Sequence, residues 1–256
     1  MRLPKGYLGI RHNRNIGFAL PTALDWTKSV LNSGSTLYNW AYRHSTGCAQ
    51  AGRSEVYILP VPTSVGNSTH WVVRHYWRGG IFRSQLSDRH LIAWTPRPIA
   101  ELWVNVEARS RGIPTPRIIA GTAERSGIFY RADLVTEWVP DTTDLTSALF
   151  TLSKNLSFQT AALIAAGRLV SLLENKRILH ADLNASNILL NKVNGVLAAH
   201  VIDLDRCQAL SPTARAPVQL MRRRLERSLR KLEERYKDPL DKTLWAALYS
   251  SYETKQ

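Results

Sequence analysis

Runs rich in Val, Ile, Tyr and Trp occupy positions 55–60 and 71–76, on either side of a polar stretch that contains Gly66-Asn67-Ser68. Two apolar runs around a Gly-Asn turn predict a pair of antiparallel strands. The spacing of Ile99, Leu102, Trp103 and Val106 predicts a helix over about 98–111, which Gly112-Ile113-Pro114 then stops. Two further strands are expected near 128–130 and 133–138. The second half changes character. Helices are expected over 145–149 and 158–173, then a loop, a short hairpin and a basic helix over about 217–236. This order predicts an α+β chain with a strand-rich N-lobe and a helical C-lobe. The polar stretch 140–143 suits a linker, so the lobes are expected to be 46–138 and 139–256. The first 45 residues show no clean period and read as an extension packed on the N-lobe.

The apolar run 158–173 is broken by Gly167 and Arg168 and falls short of the roughly 20 apolar residues that span a bilayer, so it reads as a buried helix. No repeat, heptad run or low-complexity tract stands out. With 256 residues, 44% of them hydrophobic, the chain can bury a core without staples. Its two cysteines, Cys48 and Cys207, stand in no metal-binding or paired spacing, which suggests neither a disulfide framework nor a zinc site and suits a reducing cytoplasm. The first ten residues hold no apolar core of a secretory leader. A formal charge of +14 predicts attraction to polyanions, whether nucleotide, nucleic acid or anionic lipid.

Chemistry concentrates in Ile178-Leu-His180-Ala-Asp182-Leu-Asn184-Ala-Ser186-Asn187-Ile-Leu-Leu190 and, past a turn at 191–195, in Val201-Ile202-Asp203-Leu204-Asp205. Apolar flanks at 188–190 and 200–202 should pair as a hairpin, drawing Asn187 and Asp203 together beside the loop that carries Asp182. Phosphoryl transfer needs such a set: one carboxylate to orient and deprotonate a hydroxyl, and two oxygen ligands for magnesium. Asp and Asn are also ordinary turn formers, so the bare spacing carries little by itself. The flanking apolar residues, the following Ile-Asp-Leu-Asp and the preceding long helix supply the rest.

His180-x-Asp182-x4-Asn187 resembles the catalytic loop of protein-kinase-like enzymes, and Asp203 stands where their metal-binding aspartate stands. More narrowly, the stretch is similar to the 3-deoxy-D-manno-octulosonic acid (Kdo) kinases of lipopolysaccharide assembly. Arg74-His-Tyr-Trp-Arg-Gly-Gly80, Gly112-Ile-Pro-Thr-Pro116 and Phe129-Tyr-Arg-Ala-Asp133-Leu-Val-Thr-Glu137 share that likeness, which covers roughly 52–206. The resemblance implies a two-lobed kinase fold and use of ATP with Mg2+. It implies phosphorylation of a Kdo hydroxyl on a lipid A precursor, by a cytoplasmic enzyme peripheral on the inner membrane. It casts Asp182 as catalytic base, His180 as a residue that holds the loop by bonding backbone, and Asn187 and Asp203 as metal ligands. Asp205 is a second ligand or a loop anchor. Nucleotide contacts fall to Arg74, Glu101, Gly52, Glu137 and Val139.

Three departures qualify the likeness. The strand that should offer a lysine offers Arg74, with Glu101 favoured over Glu107 as its partner. The glycine-rich loop shrinks to Ala51-Gly52-Arg53-Ser54. Leu-Asp-Arg follows Asp203 in place of Phe-Gly, with no Ala-Pro-Glu, which points away from a protein substrate and toward a small or glycolipid acceptor. Competing readings are a heptose or other small-molecule kinase of the same fold, a pseudokinase, and a nucleic-acid-binding protein built on Arg222-Arg223-Arg224, although no aromatics are interleaved there as stacking platforms. The stripe Met221, Leu225, Leu229, Leu232 beneath those arginines suits either an interfacial membrane helix or a core-packed one.

Overall fold

Phe18, Trp71, Ile118, Ile119 and Leu134 are large, apolar and fully buried, and the N-terminal half is organised around them. The computed structural model describes residues 2–51, 54–65, 68–77, 88–92, 95–152, 155–211, 213–214 and 219–253. The chain divides into two units, Met1–Val106 with Pro116–Val139, and Glu107–Thr115 with Pro140–Gln256.

The first unit holds β1 (Leu8–His12), β2 (Asn15–Ala19), α1 (Pro21–Asn32), α2 (Leu37–His44), β3 (Gly47–Ala51), β4 (Ser54–Val65), β5 (Ser68–His75), β6 (His90–Leu91), most of α3 (Arg97–Ser110), β7 (Ile118–Ser126) and β8 (Phe129–Glu137). The strands form one antiparallel sheet in the order β1-β2-β7-β8-β5-β4-β3, with β6 beside β8. In the expected pair, β4 and β5 run in register from Tyr57 opposite Val73 to Pro60 opposite His70.

The segment 1–45, read as an extension, is woven into this sheet through β1 and β2, and α1 and α2 bury Val30, Leu31, Leu37 and Ala41 in the same core. Five-residue strands are too short to show a period. The two strands expected near 128–130 and 133–138 are one strand, β8, and its neighbour β7 was not foreseen. Small residues hide β7 in the sequence. A side chain at Gly121 would come within 2.6 Å of the Phe18 ring, so the strand gives up β-propensity to let Phe18 lie across it.

The second unit holds β9 (Thr143–Asp144), α4 (Leu145–Phe150), α5 (Leu156–Asn175), β10 (Ile178–Leu179), β11 (Ile188–Val193), β12 (Val196–Val201), β13 (Gln208–Ala209), α6 (Leu220–Tyr236) and α7 (Lys242–Glu253). Side-chain caps start the first two helices: Asp144 accepts from the Ser147 amide at 3.1 Å and Asn155 from that of Phe158 at 3.0 Å. At 20 residues and a mean hydropathy of 1.5, α5 is longer than the run read from sequence and is apolar enough to cross a membrane by length and composition. Here it is a core helix, with Ala162, Leu163, Ala166, Val170 and Leu173 fully buried.

Helix α7, also unforeseen, lies against α5 at Gly167. A side chain there would run into Ser251 and come within 3.1 Å of the Leu248 carbonyl oxygen. Ser171 donates to the Tyr252 carbonyl at 3.0 Å along the same contact. Glycine is therefore what lets the two helices approach. An exposed helical Gly→Ala change stabilises by about 1 kcal/mol. Gly167→Ala should instead destabilise by about 1–3 kcal/mol through overpacking; urea unfolding of the variant, with a fall in midpoint and an unchanged slope, checks it.

Candidate active site

The strand β10 leads directly into His180, which is fully buried. Its imidazole Nε2 donates to the Ile202 carbonyl at 3.1 Å, and its Nδ1 accepts from the Asp182 amide at 3.3 Å. One donor and one acceptor are what a neutral imidazole has. Burial lowers the His180 pKa below its ordinary 6.5, outweighing the raising influence of the Ile202 carbonyl and of Asp203 and Asp182.

Two more bonds close a circuit. The Asn187 Nδ2 donates to the Asp182 carbonyl at 3.1 Å, and the Ile202 amide donates to the Asn187 carbonyl at 3.0 Å. Asp182 is thus held by both of its backbone polar groups, while its carboxylate is 78% exposed. The segment between is a 3-10 turn, Ala185–Asn187, started by Asn184, whose Oδ1 accepts from the Ser186 amide at 3.0 Å.

The hairpin read from sequence is present and longer, with Ile188 opposite Val201 and Val193 opposite Val196. Its two-residue turn, Asn194-Gly195, has positive φ at both positions, the geometry of a type I′ turn. Asp203 follows β12 in the left-handed region at φ +61°, a conformation that Asp tolerates better than most side chains, and it is exposed. Asp205 is held in, its side chain 12% exposed.

Among the described residues no group of three or more His, Cys, Asp or Glu could hold a metal alone. The candidate donors are oxygens: the Asn187 Oδ1, left over when its amide nitrogen bonds the Asp182 carbonyl, and the exposed Asp203 carboxylate. Two hard oxygen ligands, completed by phosphates and water, suit Mg2+.

In the first unit, Arg74 on β5 pairs with Glu101 on α3, with its Nη2 2.5 Å from both carboxylate oxygens. The Tyr76 hydroxyl donates to the same carboxylate at 2.5 Å, and the Arg74 and Arg97 guanidiniums lie 4.7 and 5.1 Å from the Tyr76 ring. Glu101 is 4% exposed. Glu107 pairs instead with Arg111 at 2.8 Å, one turn along the helix. Glu137, at the end of β8, accepts from the Arg117 amide at 3.1 Å, and Val139 is half-buried. Gly52 lies outside the described residues.

Sequence reasoning missed the part α6 plays. Met221 Sδ accepts from the His180 amide at 3.3 Å, Ser228 Oγ accepts from the Ala185 amide at 3.1 Å, and Arg224 Nη1 lies 4.0 Å from Asp182 Oδ1. Met221, Leu225 and Leu229 are buried, so the stripe that suited a membrane interface is core. No local signal ties these residues to a loop forty positions upstream.

The fold and this loop define a kinase of the protein-kinase-like class. A profile of the lipopolysaccharide kinase (Kdo/WaaP) family matches residues 60–252. A 3-deoxy-D-manno-octulosonic acid kinase of Haemophilus influenzae (strain PittGG) is 32% identical over 205 residues, 78% of this chain and 82% of the relative. Kinases of the same name from Vibrio vulnificus (strain YJ016) and Mannheimia succiniciproducens are 31% and 28% identical, covering 77% and 84% of this chain and 84% and 88% of theirs. The solved structure of WaaP in complex with acyl carrier protein shares the fold, with a TM-score of 0.52 at 16% identity over 89% of this chain and 85% of that one. The chain belongs to the lipopolysaccharide kinase (Kdo/WaaP) family and is a kinase of lipopolysaccharide biosynthesis. The nucleic-acid-binding and pseudokinase readings are not favoured.

Because His180 is neutral when folded and titrates near 6.5 when unfolded, its contribution to stability is complete above pH 6.5 and is lost as pH falls toward its lowered folded value. Urea midpoints should fall between pH 7 and pH 5. His180→Gln should lower stability at pH 8 by about 1–3 kcal/mol and flatten the acid slope. The half-buried His200, whose pKa burial also lowers, supplies the slope that remains.

Proposed function

We propose that this kinase transfers the γ-phosphoryl group of ATP to a hydroxyl of Kdo on a lipid A precursor. The observation that carries the reading is the hydrogen-bonded circuit, which holds the Asp182 carboxylate out to solvent while fixing Asn187 beside it. The Kdo kinases it resembles by name support the acceptor.

In the proposed step the acceptor oxygen bonds to the γ-phosphorus, the bond from phosphorus to the bridging oxygen breaks, and ADP leaves. Asp182 orients the acceptor hydroxyl and takes its proton. Asn187 Oδ1 and the Asp203 carboxylate would hold Mg2+, which neutralises charge on the phosphate oxygens. Arg74, fixed by Glu101, is assigned to ATP phosphate oxygens in the role a lysine has in protein kinases. Glu137 and Val139 are assigned to the nucleotide base. His180 holds the loop and passes no proton to or from the reacting groups, in keeping with its buried neutral ring, whose one N–H is spent on the Ile202 carbonyl.

Asp182→Ala should lower kcat by roughly 10²–10⁴ with ATP binding retained, because a general base acts on the acceptor. Asp203→Asn or Asn187→Ala should weaken magnesium-dependent activity, which high magnesium partly restores. Turnover of Kdo-bearing lipid A precursor with labelled ATP, titrated with magnesium, measures both. Near-normal turnover by Asp182→Ala would remove the assignment.

A lipid-borne acceptor calls for residence at an anionic inner-membrane surface on the cytoplasmic side, and the outer face of α6 is assigned to it. Arg223, Arg227 and Lys231 are exposed and four residues apart, so they share one face. Arg222 is not available, being paired with Glu174 at 2.7 Å and stacked 4.8 Å over Tyr252. With the apolar stripe committed to the core, the attraction is electrostatic, about 1 kcal/mol per basic residue and screened by salt. Sedimentation with vesicles should show binding to anionic but not neutral lipid, lost in high salt and in the Arg223→Glu, Arg227→Glu, Lys231→Glu triple variant. Equal binding to both lipids would defeat it.

A further inference from the structure

We infer that Arg224 is a catalytic residue that binds the phosphoryl group as it passes to the acceptor held by Asp182. The inference rests on the kinase reading above and adds a group that its motif does not contain.

The transferred phosphoryl carries negative charge on three equatorial oxygens and needs a cation close to the attacking oxygen. Residues 182–187 include no Lys or Arg. The side-chain amides of the loop are already committed. Asn184 Nδ2 donates to the Asp182 carbonyl at 3.0 Å, its Oδ1 accepts from both the amide and the hydroxyl of Ser186, and Asn187 Nδ2 is spent on Asp182. The positive charge beside Asp182 comes from α6 instead.

Arg224 Nη1 stands 4.0 Å from Asp182 Oδ1, an attraction too long to be a hydrogen bond, so it neutralises the carboxylate without using its donors on it. Its Nε is buried and has no hydrogen-bond partner among the described residues. An arginine fork with open donors, partly shielded from water at 30% exposure, is a site for an oxyanion. The backbone that carries it is pinned on both sides. Met221 meets the His180 amide one turn before, Ser228 meets the Ala185 amide one turn after, and Leu225 and Leu229 are fully buried. Positions 221, 224, 225 and 228 lie on one helix face, and that face is turned to the catalytic loop. The three consecutive arginines thus part company: Arg222 ties α6 to α5 through Glu174, Arg223 faces solvent, and Arg224 serves the reaction.

The test compares wild type, Arg224→Met and Arg224→Lys in two assays, phosphorylation of Kdo-bearing lipid A precursor and slow ADP release with water as acceptor. Arg224→Met should slow both by about 10²–10³-fold, with KM for ATP and acceptor within about threefold of wild type. Arg224→Lys should fall between. Added guanidinium should recover part of the Arg224→Met rate and leave wild type unchanged, an effect that a misfolded helix would not show. Rates of Arg224→Met within about threefold of wild type, or low rates that guanidinium does not raise, would overturn the inference. So would a raised acceptor KM with unchanged ADP release, which would make Arg224 a clamp on the acceptor's own anion. If wild type releases ADP but leaves the Kdo acceptor unmodified, the acceptor assignment alone fails, and the hydrolysis comparison still decides Arg224.

Discussion

A buried, uncharged histidine holds the reactive loop of this kinase together. His180 has no contact with solvent, and each of its ring nitrogens has one partner, the Ile202 carbonyl on one side and the Asp182 amide on the other. In a low-dielectric interior such bonds are strong, and an unmade one is costly. The circuit through Asp182, Asn187 and Ile202 joins two chain segments twenty residues apart without using the Asp182 carboxylate. The Asp182 carboxylate is therefore left exposed while its backbone is bound. The same device sets the two residues proposed to hold magnesium, since Asn187 bonds the Asp182 carbonyl through its amide nitrogen and Asp203 directly follows the residue that closes the ring.

Helix α6 meets this loop from outside the motif. Its apolar stripe is buried, its Ser228 and Met221 satisfy two loop amides, and its arginines divide: Arg222 bonds Glu174, Arg223 faces solvent and Arg224 stands beside Asp182. A helix with so many like charges gains little from its own propensity. Burial of Met221, Leu225 and Leu229 and the Arg222–Glu174 pair hold it instead. The basic face is what is left when that docking is complete.

The first unit solves a separate problem, that of keeping a cation in place with little solvent around it. Glu101 is almost fully buried and receives both Arg74 and the Tyr76 hydroxyl. Such a carboxylate is tolerable because its lone pairs are occupied, and removing Arg74 would take away charge that its burial needs. Arginine suits this position, because a planar guanidinium can bond a carboxylate and lie over an aromatic ring at once.

Local spacing was enough to determine the turn at 182–187, the β11–β12 hairpin and the alternation of a strand-rich half with a helical one, since turn geometry and short-range pairing act over a few residues. It also favoured Glu101 over Glu107 by helical register. Other features were decided only by contacts between distant segments. Strand β7 is hidden because the Phe18 ring demands glycine at 121, which lowers the β-propensity of the strand, and the first 45 residues become sheet because β2 pairs with β7. Helix α5 is core because α7 closes on Gly167. The stripe on α6 had two physically equal uses, a membrane or a protein interior, and an amphipathic pattern records only that an apolar face must be covered, not by what. Arg224 shows the same limit most sharply: its charge is plain in the sequence, but its partner lies forty residues away, and only the docking of α6 on the loop brings the two together.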